Sequence, residues 1–289
     1  MLPDPGEPTA SQIEDHRAPG HVPYRTWCAE CVNGRSTGEQ HRHRKGDRKI
    51  CVFSFDYLYL DKSGKQIKRG EALANLEEVD VTILVVKASK GKAIFSHVVP
   101  QKGVDMEHYA VDVLMKDLKW LGYQKISLRS DNEKAILKLL EHAVTEARLQ
   151  IQDMDQVIEE HPNTYDSSGN GEIEVAVKTI TGLIRTNKID LEKRIGKVVP
   201  QSHPLLSRLV GYCAWIHNVR TRGDDGLTAY QRVRLRDFVK RLLPSAELVL
   251  VHLPIEGPER REGGALDPRA KEGIVSWVPA RIPTPTSCT

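Results

Sequence analysis

Apolar and aromatic residues first dominate the chain at residues 50–60, where they fill nearly every position. A run of aromatic and β-branched residues is typical of a buried strand. Because side chains alternate between the two faces of a strand, one face receives Phe53, Phe55, Tyr57 and Tyr59. The opposite face receives Val52, Ser54, Asp56 and Leu58. The pattern therefore predicts a strand with an acidic residue, Asp56, in its middle.

The next segments alternate between strand-like and helix-like patterns. Residues 81–86 and 93–99 read as two more strands, which with the first predict an antiparallel meander. Residues 106–121 carry apolar side chains at helical spacing, and residues 125–130 form another short apolar run. A further helix follows, and then a short strand near Val157.

The second half of the chain is mainly helical in pattern. One helix begins near Glu172, a second covers residues 203–218, and Thr228 is placed to cap a third over residues 229–236. A late strand is expected from Leu248, with another possible at residues 273–278. Three strands followed by alternating helices and strands predict an α/β fold, with a mixed sheet flanked by helices.

Three acidic residues occupy positions where those predicted elements would meet. Asp56 lies within the first strand, Asp131 follows the fourth strand, and Glu174 lies in the first turn of a helix. Each also has an ordinary structural explanation: an exposed edge-strand acid, a helix N-cap and a surface Glu174–Lys178 pair. In this strand order the first and fourth strands are neighbours, so we expect the three carboxylates to converge.

Converging carboxylates point to divalent cations, because a buried charge must be paired or bind a cation. Carboxylate oxygens suit Mg²⁺ or Mn²⁺. Two such ions support in-line displacement at phosphorus. We therefore expect a two-metal site that cuts and joins phosphodiester bonds.

A second cluster of metal-binding residue types lies near the N-terminus, at His16, His21, Cys28 and Cys31. Imidazole and thiolate are the ligands of tetrahedral zinc, and four of them close a structural site. Few apolar residues surround them, so a metal would supply the missing stability. The five cysteines of the chain include this Cys-x-x-Cys pair, which favours metal or free thiols over disulfides. The alternative is a redox-silent cysteine pair in a flexible arm.

Charge is unevenly distributed, although the net charge is only +3. Residues 131–174 contain eleven acidic and three basic side chains, whereas residues 175–241 contain fourteen basic and five acidic ones. A basic half suits a polyanion such as DNA, although a solvated surface of mixed charge has the same composition. The candidate nucleic-acid-binding residues are Lys178, Arg185, Arg232, Arg234 and Arg236.

Together these motifs resemble the integrases of long-terminal-repeat retrotransposons and retroviruses, over about residues 16–240. The similarity is carried by the His/His/Cys/Cys arm, Phe55-Asp56-Tyr57, Ser130-Asp131-Asn132, Asn170-Gly171-x-x-Glu174 and Asp225-Gly226-x-Thr228-Ala229-Tyr230. The resemblance implies an RNase H-like fold with a five-stranded sheet, and a catalytic triad of Asp56, Asp131 and Glu174. It also implies zinc on His16, His21, Cys28 and Cys31, DNA ends and target DNA as partners, a homo-oligomer and a nuclear location.

The sequence departs from the family pattern in several places. Val175 stands where the family often has Arg, the zinc arm is short, and Glu172 is a rival for Glu174. Asp131 and Glu174 are 43 positions apart, which is longer than usual in retroviruses. A catalytically inactive, element-derived DNA-binding protein and an RNase H-like nuclease therefore stay open as alternatives. Because no protease or reverse transcriptase precedes the core, we expect a fragment, a processed product or a decayed copy.

These patterns divide the chain into five regions. We expect a disordered leader at residues 1–15, a zinc-binding arm at 16–34, a basic linker at 35–48, a catalytic core with post-core helices at 49–240, and a C-terminal strand with a disordered tail at 241–289. No run reaches the roughly 20 apolar residues that a membrane span needs, and the N-terminus lacks the apolar stretch of a signal peptide. An intracellular protein without a membrane partner is expected.

Overall fold

The computed structural model describes residues 8–35, 50–67, 79–130, 134–151, 156–160, 171–252 and 270–274. Its strands are β1 (Cys51–Leu60), β2 (Gln66–Ile67), β3 (Val81–Ala88), β4 (Ile94–Val99), β5 (Lys125–Ser130), β6 (Gln156–Glu160), β7 (Leu248–His252) and β8 (Ala270–Ile274). Its helices are α1 (Ala10–Arg17), α2 (Ala29–Arg35), α3 (Tyr109–Leu121), α4 (Lys134–Gln150), α5 (Gly171–Ile195), α6 (Pro204–Arg220) and α7 (Ala229–Arg234).

Six of the strands form one mixed sheet. Five of them lie in the order β4-β3-β1-β5-β6, and the two-residue β2 pairs with the end of β1. β1 runs antiparallel to β3 and parallel to β5, so it is the strand at which the meander meets the parallel part of the sheet. The predicted fold class, an α/β fold with a mixed sheet of five main strands flanked by helices, is confirmed.

The alternation predicted for β1 is also confirmed by the two apolar cores. Phe53, Phe55, Tyr57 and Tyr59 are buried in a cluster that includes α3 and α4. Leu58 and Leu60 are buried in a second cluster with β3, α5 and α6. Burying a large apolar side chain contributes about 1.5–3 kcal/mol, so both faces of this strand stabilise the sheet. Asp56 therefore lies on the face that α5 and α6 cover.

Helix boundaries follow from the caps. Gly122 adopts the left-handed conformation, with φ of 66°, and ends α3 as predicted. The start of α3 was predicted at Met106 but lies at Tyr109, because the Asp105 carboxylate accepts hydrogen bonds from the backbone amides of Tyr109 and Ala110. Thr228 caps α7 in a reciprocal capping box with Gln231, which confirms the predicted cap.

The two ends of the chain differ in part from expectation. The leader was predicted to be disordered to residue 15, yet α1 begins at Ala10 because Thr9 and Gln12 form a capping box. At the other end, β7 pairs antiparallel with β8, which lies slightly earlier than the strand predicted at residues 273–278. Residues 36–48, which are most of the expected basic linker, lie outside the described residues. Within the described part of the chain, no helix combines the length and apolar character needed to cross a membrane.

Candidate metal centres

The predicted zinc ligands come together in the structure. His16, His21, Cys28 and Cys31 are all buried, and their ligand atoms lie within 4.8 Å of one another. The ligands approach in two pairs, each with 3.3 Å between nitrogen and sulfur: His16 Nε2 with Cys31 Sγ, and His21 Nδ1 with Cys28 Sγ. Neither cysteine is in a disulfide. Among the described residues, this is the cluster whose donors could hold a metal ion.

Local structure explains why four ligands from a short segment converge. His16 lies in the last turn of α1, and the chain then reverses through Gly20 and His21, both with positive φ. Cys28 precedes α2 and Cys31 lies in its first turn, where residues three apart share one side of a helix. The ring of Trp27 packs against the ring of His16, with 5.0 Å between centroids. Two short helices and one reversal therefore shape the cluster.

The two cysteines of the cluster influence each other's protonation in opposite directions. The hydrogen bond between the two sulfur atoms raises the pKa of Cys28 and lowers the pKa of Cys31, and Cys31 Sγ also lies within hydrogen-bond distance of His16 Nε2. Burial opposes protonation of His21, but the Asp190 carboxylate and Cys31 outweigh it and raise the pKa of His21. Two nitrogens and two sulfurs in a buried tetrad are the donor set of a structural zinc site.

The arm that carries this cluster packs directly on the core. Val22, next to His21, is only 3% exposed and belongs to the same apolar cluster as α5 and α6. The Arg185 guanidinium donates to the carbonyl oxygen of Gly34 at 2.9 Å. A Cβ atom at Gly34 would lie 2.9 Å from the Cα atom of Thr186, so the backbones of α2 and α5 are in close contact. The arm is therefore docked on α5.

The first acidic candidate, Asp56, lies in the middle of the central strand. It pairs with Val85 of β3, is half-buried, and accepts a hydrogen bond from the Tyr57 amide at 2.8 Å through Oδ1. On its other side, the last register pair between β1 and β5 joins Phe55 to Ser130. In the sequence, Asp56 directly follows Phe55, and Asp131 directly follows Ser130. Asp131 itself lies outside the described residues.

The second acidic candidate, Glu174, lies in the first turn of α5 and is exposed. The preceding residue, Ile173, is 3% exposed and belongs to the cluster that contains Leu58 and Val85. The beginning of α5 is therefore packed on the face of β1 to which Asp56 belongs. Glu172, the rival acid, is half-buried in the same turn. Asn170 lies outside the described residues.

The basic residues predicted to contact nucleic acid differ in their surroundings. Lys178 is exposed on α5, one turn after Glu174, and Arg236 is exposed just after α7. Arg185 donates to the carbonyl oxygen of Gly34 in the arm that carries the His/Cys cluster. The Arg234 guanidinium lies over the ring of Trp120, 5.2 Å from its centroid.

Arg232 is held by several acceptors. Its Nε donates to Asp225 Oδ2 at 2.9 Å, and its Nη2 donates to the Leu227 carbonyl oxygen at 2.8 Å. The same guanidinium lowers the pKa of Asp225. Asp225 and Arg232 therefore brace the turn that leads into α7, within the Asp225-Gly226-x-Thr228 motif singled out in the sequence.

The charged residues that lie behind the His/Cys cluster were not predicted from the sequence. Asp190 of α5 is buried and paired with Arg17 and Arg194, and Arg35 donates to Cys31 Sγ at 2.9 Å. One signal was present: the apolar stripe of α5 continues at helical spacing into the polar residues Asn187 and Asp190. Polar residues on a buried helix face indicate specific partners.

No protein-family model and no curated protein sequence matches the chain. Solved structures do resemble it. The catalytic core domain of BIV integrase has 12% sequence identity and a TM-score of 0.39, covering 64% of this chain and 93% of its own. The HTLV-2 integrase catalytic core domain, in a trimeric form with magnesium, has 11% identity and a TM-score of 0.41, covering 63% and 95%.

A third structure extends further along the chain. The simian T-cell lymphotropic virus intasome, in complex with the PP2A regulatory subunit B56 gamma, has 10% identity and a TM-score of 0.46. It covers 86% of this chain and 76% of its own. The chain is thus similar to retroviral integrase structures, and its His/His/Cys/Cys cluster resembles an integrase zinc arm.

Proposed function

We propose that the chain is a polynucleotidyl transferase and endonuclease of the retrotransposon-integrase type, which processes DNA 3′ ends and joins them to target DNA. The observation that carries this proposal is the position of Asp56. It is an acid in the middle of the central strand, on the face where the beginning of α5 packs, and Glu174 lies in that first turn. A mid-strand acid is unusual unless it has a charged partner or a cation.

The proposed triad consists of Asp56, Asp131 and Glu174. Strand β5, which ends at Ser130 directly before Asp131, is the parallel neighbour of β1. Carboxylate oxygens are suitable ligands for Mg²⁺ or Mn²⁺. Asp56 is the candidate to contact both of two cations, with Asp131 and Glu174 each completing one. When bound, such a pair of ions stabilises the attacking and leaving oxygens of an in-line displacement.

The proposed partner is DNA, both as element ends and as target. Lys178 is exposed on the same helix as Glu174, one turn away, and it is placed to neutralise a phosphate near the acids. Arg185, Arg234 and Arg236 are proposed to add to the positive surface, whereas Arg232 contributes mainly through the turn that it braces. Such contacts position DNA without reading its sequence. A homo-oligomer and a nuclear location are proposed from the family resemblance.

Zinc is the proposed occupant of the His/Cys cluster. The four donors are buried and close, and they match the tetrahedral N₂S₂ sets of structural zinc sites. Its role would be to hold α1, α2 and the loop between them in the conformation that docks on α5. Metal binding and folding of the arm would then be one process.

A metal-supported strand-transfer assay on the purified chain tests the proposal. Substrates are a labelled DNA duplex with a recessed 3′ end and a plasmid target, with Mg²⁺ or Mn²⁺. The wild type is expected to produce joined products, and Asp56→Asn to lose them. The matched control is Asp112→Asn, an exposed acid on α3, which packs on the opposite face of the sheet.

The same assay separates the alternatives. A chain that binds duplex DNA in a salt-dependent way, but joins no ends in either metal, would be a DNA-binding protein and not an integrase. Cleavage of RNA–DNA hybrids in preference to duplex ends would identify an RNase H-like nuclease instead. Full retention of strand transfer by Asp56→Asn would falsify the proposed triad.

A further inference from the structure

Asp190 carries a buried carboxylate at the contact between the arm and the core, and the whole residue is only 7% exposed. Arg17 Nε of α1 lies 3.0 Å from Asp190 Oδ1, and Arg194 Nε of α5 lies 2.9 Å from Asp190 Oδ2. Burying an unpaired carboxylate is costly, so these two guanidinium groups explain how the charge is accommodated.

The third neighbour of Asp190 is His21, a member of the metal-binding cluster. His21 faces Cys28 through Nδ1, so Nδ1 is the nitrogen that would bind a cation in the cluster. The proton of the neutral imidazole ring is then on the other nitrogen, Nε2. Nε2 is buried and has no hydrogen-bond partner among the described residues. Asp190 Oδ1 lies 3.8 Å away, within ion-pair range but beyond an ordinary hydrogen bond. A buried donor therefore lies close to a buried carboxylate acceptor.

Given the zinc site proposed above, on which this role depends, we infer that Asp190 is a positioning residue for the metal ligand His21. Metal-bound histidines commonly donate their second nitrogen to a carboxylate, which fixes the tautomer and the orientation of the ring. Here the carboxylate comes from α5 and not from the arm. Occupancy of the metal site and docking of the arm on the core are thereby coupled through one side chain.

The ion-pair network extends this coupling beyond the arm. Arg194, which holds Asp190, also donates from Nη1 to Glu247 Oε2 at 2.9 Å and from Nη2 to the carbonyl oxygen of Ser245 at 2.6 Å. These residues lie just before β7. One buried carboxylate thus connects α1, the metal cluster, α5 and the segment that leads into the C-terminal strands.

The experiment compares Asp190→Asn with Glu192→Gln. Glu192 lies two residues away on α5 and also forms an ion pair, with Lys188, but it does not contact the cluster. Zinc affinity is measured by competition with a chelating dye, and the absorption of the Co²⁺-loaded chain reports thiolate coordination. Asp190→Asn is expected to weaken zinc binding about 10- to 100-fold. Glu192→Gln is expected to leave it unchanged, and Asp190→Glu to restore part of the affinity.

The possible outcomes distinguish the role of Asp190 from the existence of the zinc site. Equal zinc affinity in the wild type, Asp190→Asn and Glu192→Gln would overturn the role of Asp190 and leave the zinc site standing. Absence of zinc binding in the wild type would overturn both. If Asp190→Asn does not fold, Arg17→Gln provides the second test. Arg17 is partly exposed, and its substitution removes one of the two guanidinium groups that hold the Asp190 carboxylate. An unchanged zinc affinity in Arg17→Gln would count against the coupling.

Discussion

The His/Cys cluster and the acidic residues make contrasting use of the same helix, α5. Glu174 lies in its first turn and Asp190 sixteen residues later, about 24 Å further along the axis. Beside Asp190, four ligands are buried with their donor atoms within 4.8 Å of one another. At the other end, Glu174 is exposed and Asp56 is half-buried. Closed sites suit structural metals, whereas an exposed set of donors leaves room for a substrate.

The two regions also differ in how the chain builds them. The cluster uses residues 16–31, a segment of two short helices and one reversal. The described acids, Asp56 and Glu174, are 118 positions apart, and their proposed convergence depends on the sheet and on the packing of α5. A local site depends on its own ligands, whereas a long-range site depends on the whole core. Substitutions at each should therefore have separable effects on stability and on activity.

The largest effect, on the rate of strand transfer, is expected in the first turn of α5. Glu174→Gln should reduce strand transfer roughly a thousandfold, because the carboxylate is proposed to hold a cation that supplies several kcal/mol of transition-state stabilisation. Single-turnover rates with labelled DNA ends measure the loss. Thermal unfolding should change little, since Glu174 is exposed.

Glu172→Gln is the matched control, one residue before Ile173 in the same turn. It should retain activity within about threefold, because it is not proposed to hold a cation, and threefold is under 1 kcal/mol. The reverse ranking, with Glu172→Gln inactive and Glu174→Gln active, would move the third acid of the triad to Glu172.

At the His/Cys cluster, removal of the metal should lower the stability of the fold. Zinc at a thousandfold excess over its dissociation constant stabilises a folded site by about 4 kcal/mol. A strong zinc chelator should therefore lower the unfolding midpoint of the wild type, as followed by circular dichroism. Cys31→Ser should already show the lowered midpoint and should respond little to the chelator. A wild-type midpoint that does not move on chelation would contradict a structural metal.

Docking of the arm can be weakened without touching a ligand. Gly34→Ala should cost about 1–3 kcal/mol, because its Cβ would lie 2.9 Å from the Cα atom of Thr186 and backbone must shift. Chemical denaturation measures this loss, and zinc affinity should fall with it. Gly171→Ala in α5 has no atom within 4 Å of the added Cβ and should be neutral or slightly stabilising. Equal stability in both variants would contradict the close packing of α2 on α5.

The smallest effect concerns the phosphate contact proposed next to the acids. Lys178→Gln should weaken duplex binding severalfold and reduce the slope of log affinity against log salt by about 0.9. Fluorescence anisotropy over a series of salt concentrations gives that slope. Lys116→Gln on α3, on the far side of the sheet, should leave it unchanged. The same slope in Lys178→Gln as in the wild type would remove Lys178 from the DNA interface.

The fold was largely predictable because its signals are local. The alternation of β1, the glycine cap at Gly122 and the capping box at Thr228 all follow from neighbouring residues. The start of α1 was missed because its apolar face is weak, and the Thr9–Gln12 capping box determines where the helix begins.

The site was predictable only as far as residue type reveals chemistry. The four candidate ligands could be identified from residue type and spacing, because histidine and cysteine are the usual donors to zinc and the two cysteines form a Cys-x-x-Cys pair. Asp190 was not, because its role arises from contact with His21, which lies 169 positions earlier in the chain. No local pattern encodes such a long-range contact. The convergence of the three acids rests on the same kind of long-range packing, and it stays a prediction.

The most direct test of the central claim is an anomalous diffraction map from crystals of the chain soaked in Mn²⁺. The proposal predicts two peaks, roughly 3.5–4 Å apart, between the carboxylates of Asp56, Asp131 and Glu174. Carboxylates that point to separate places, with no manganese among them, would contradict it. The chain would then have no acidic metal centre to support phosphodiester chemistry.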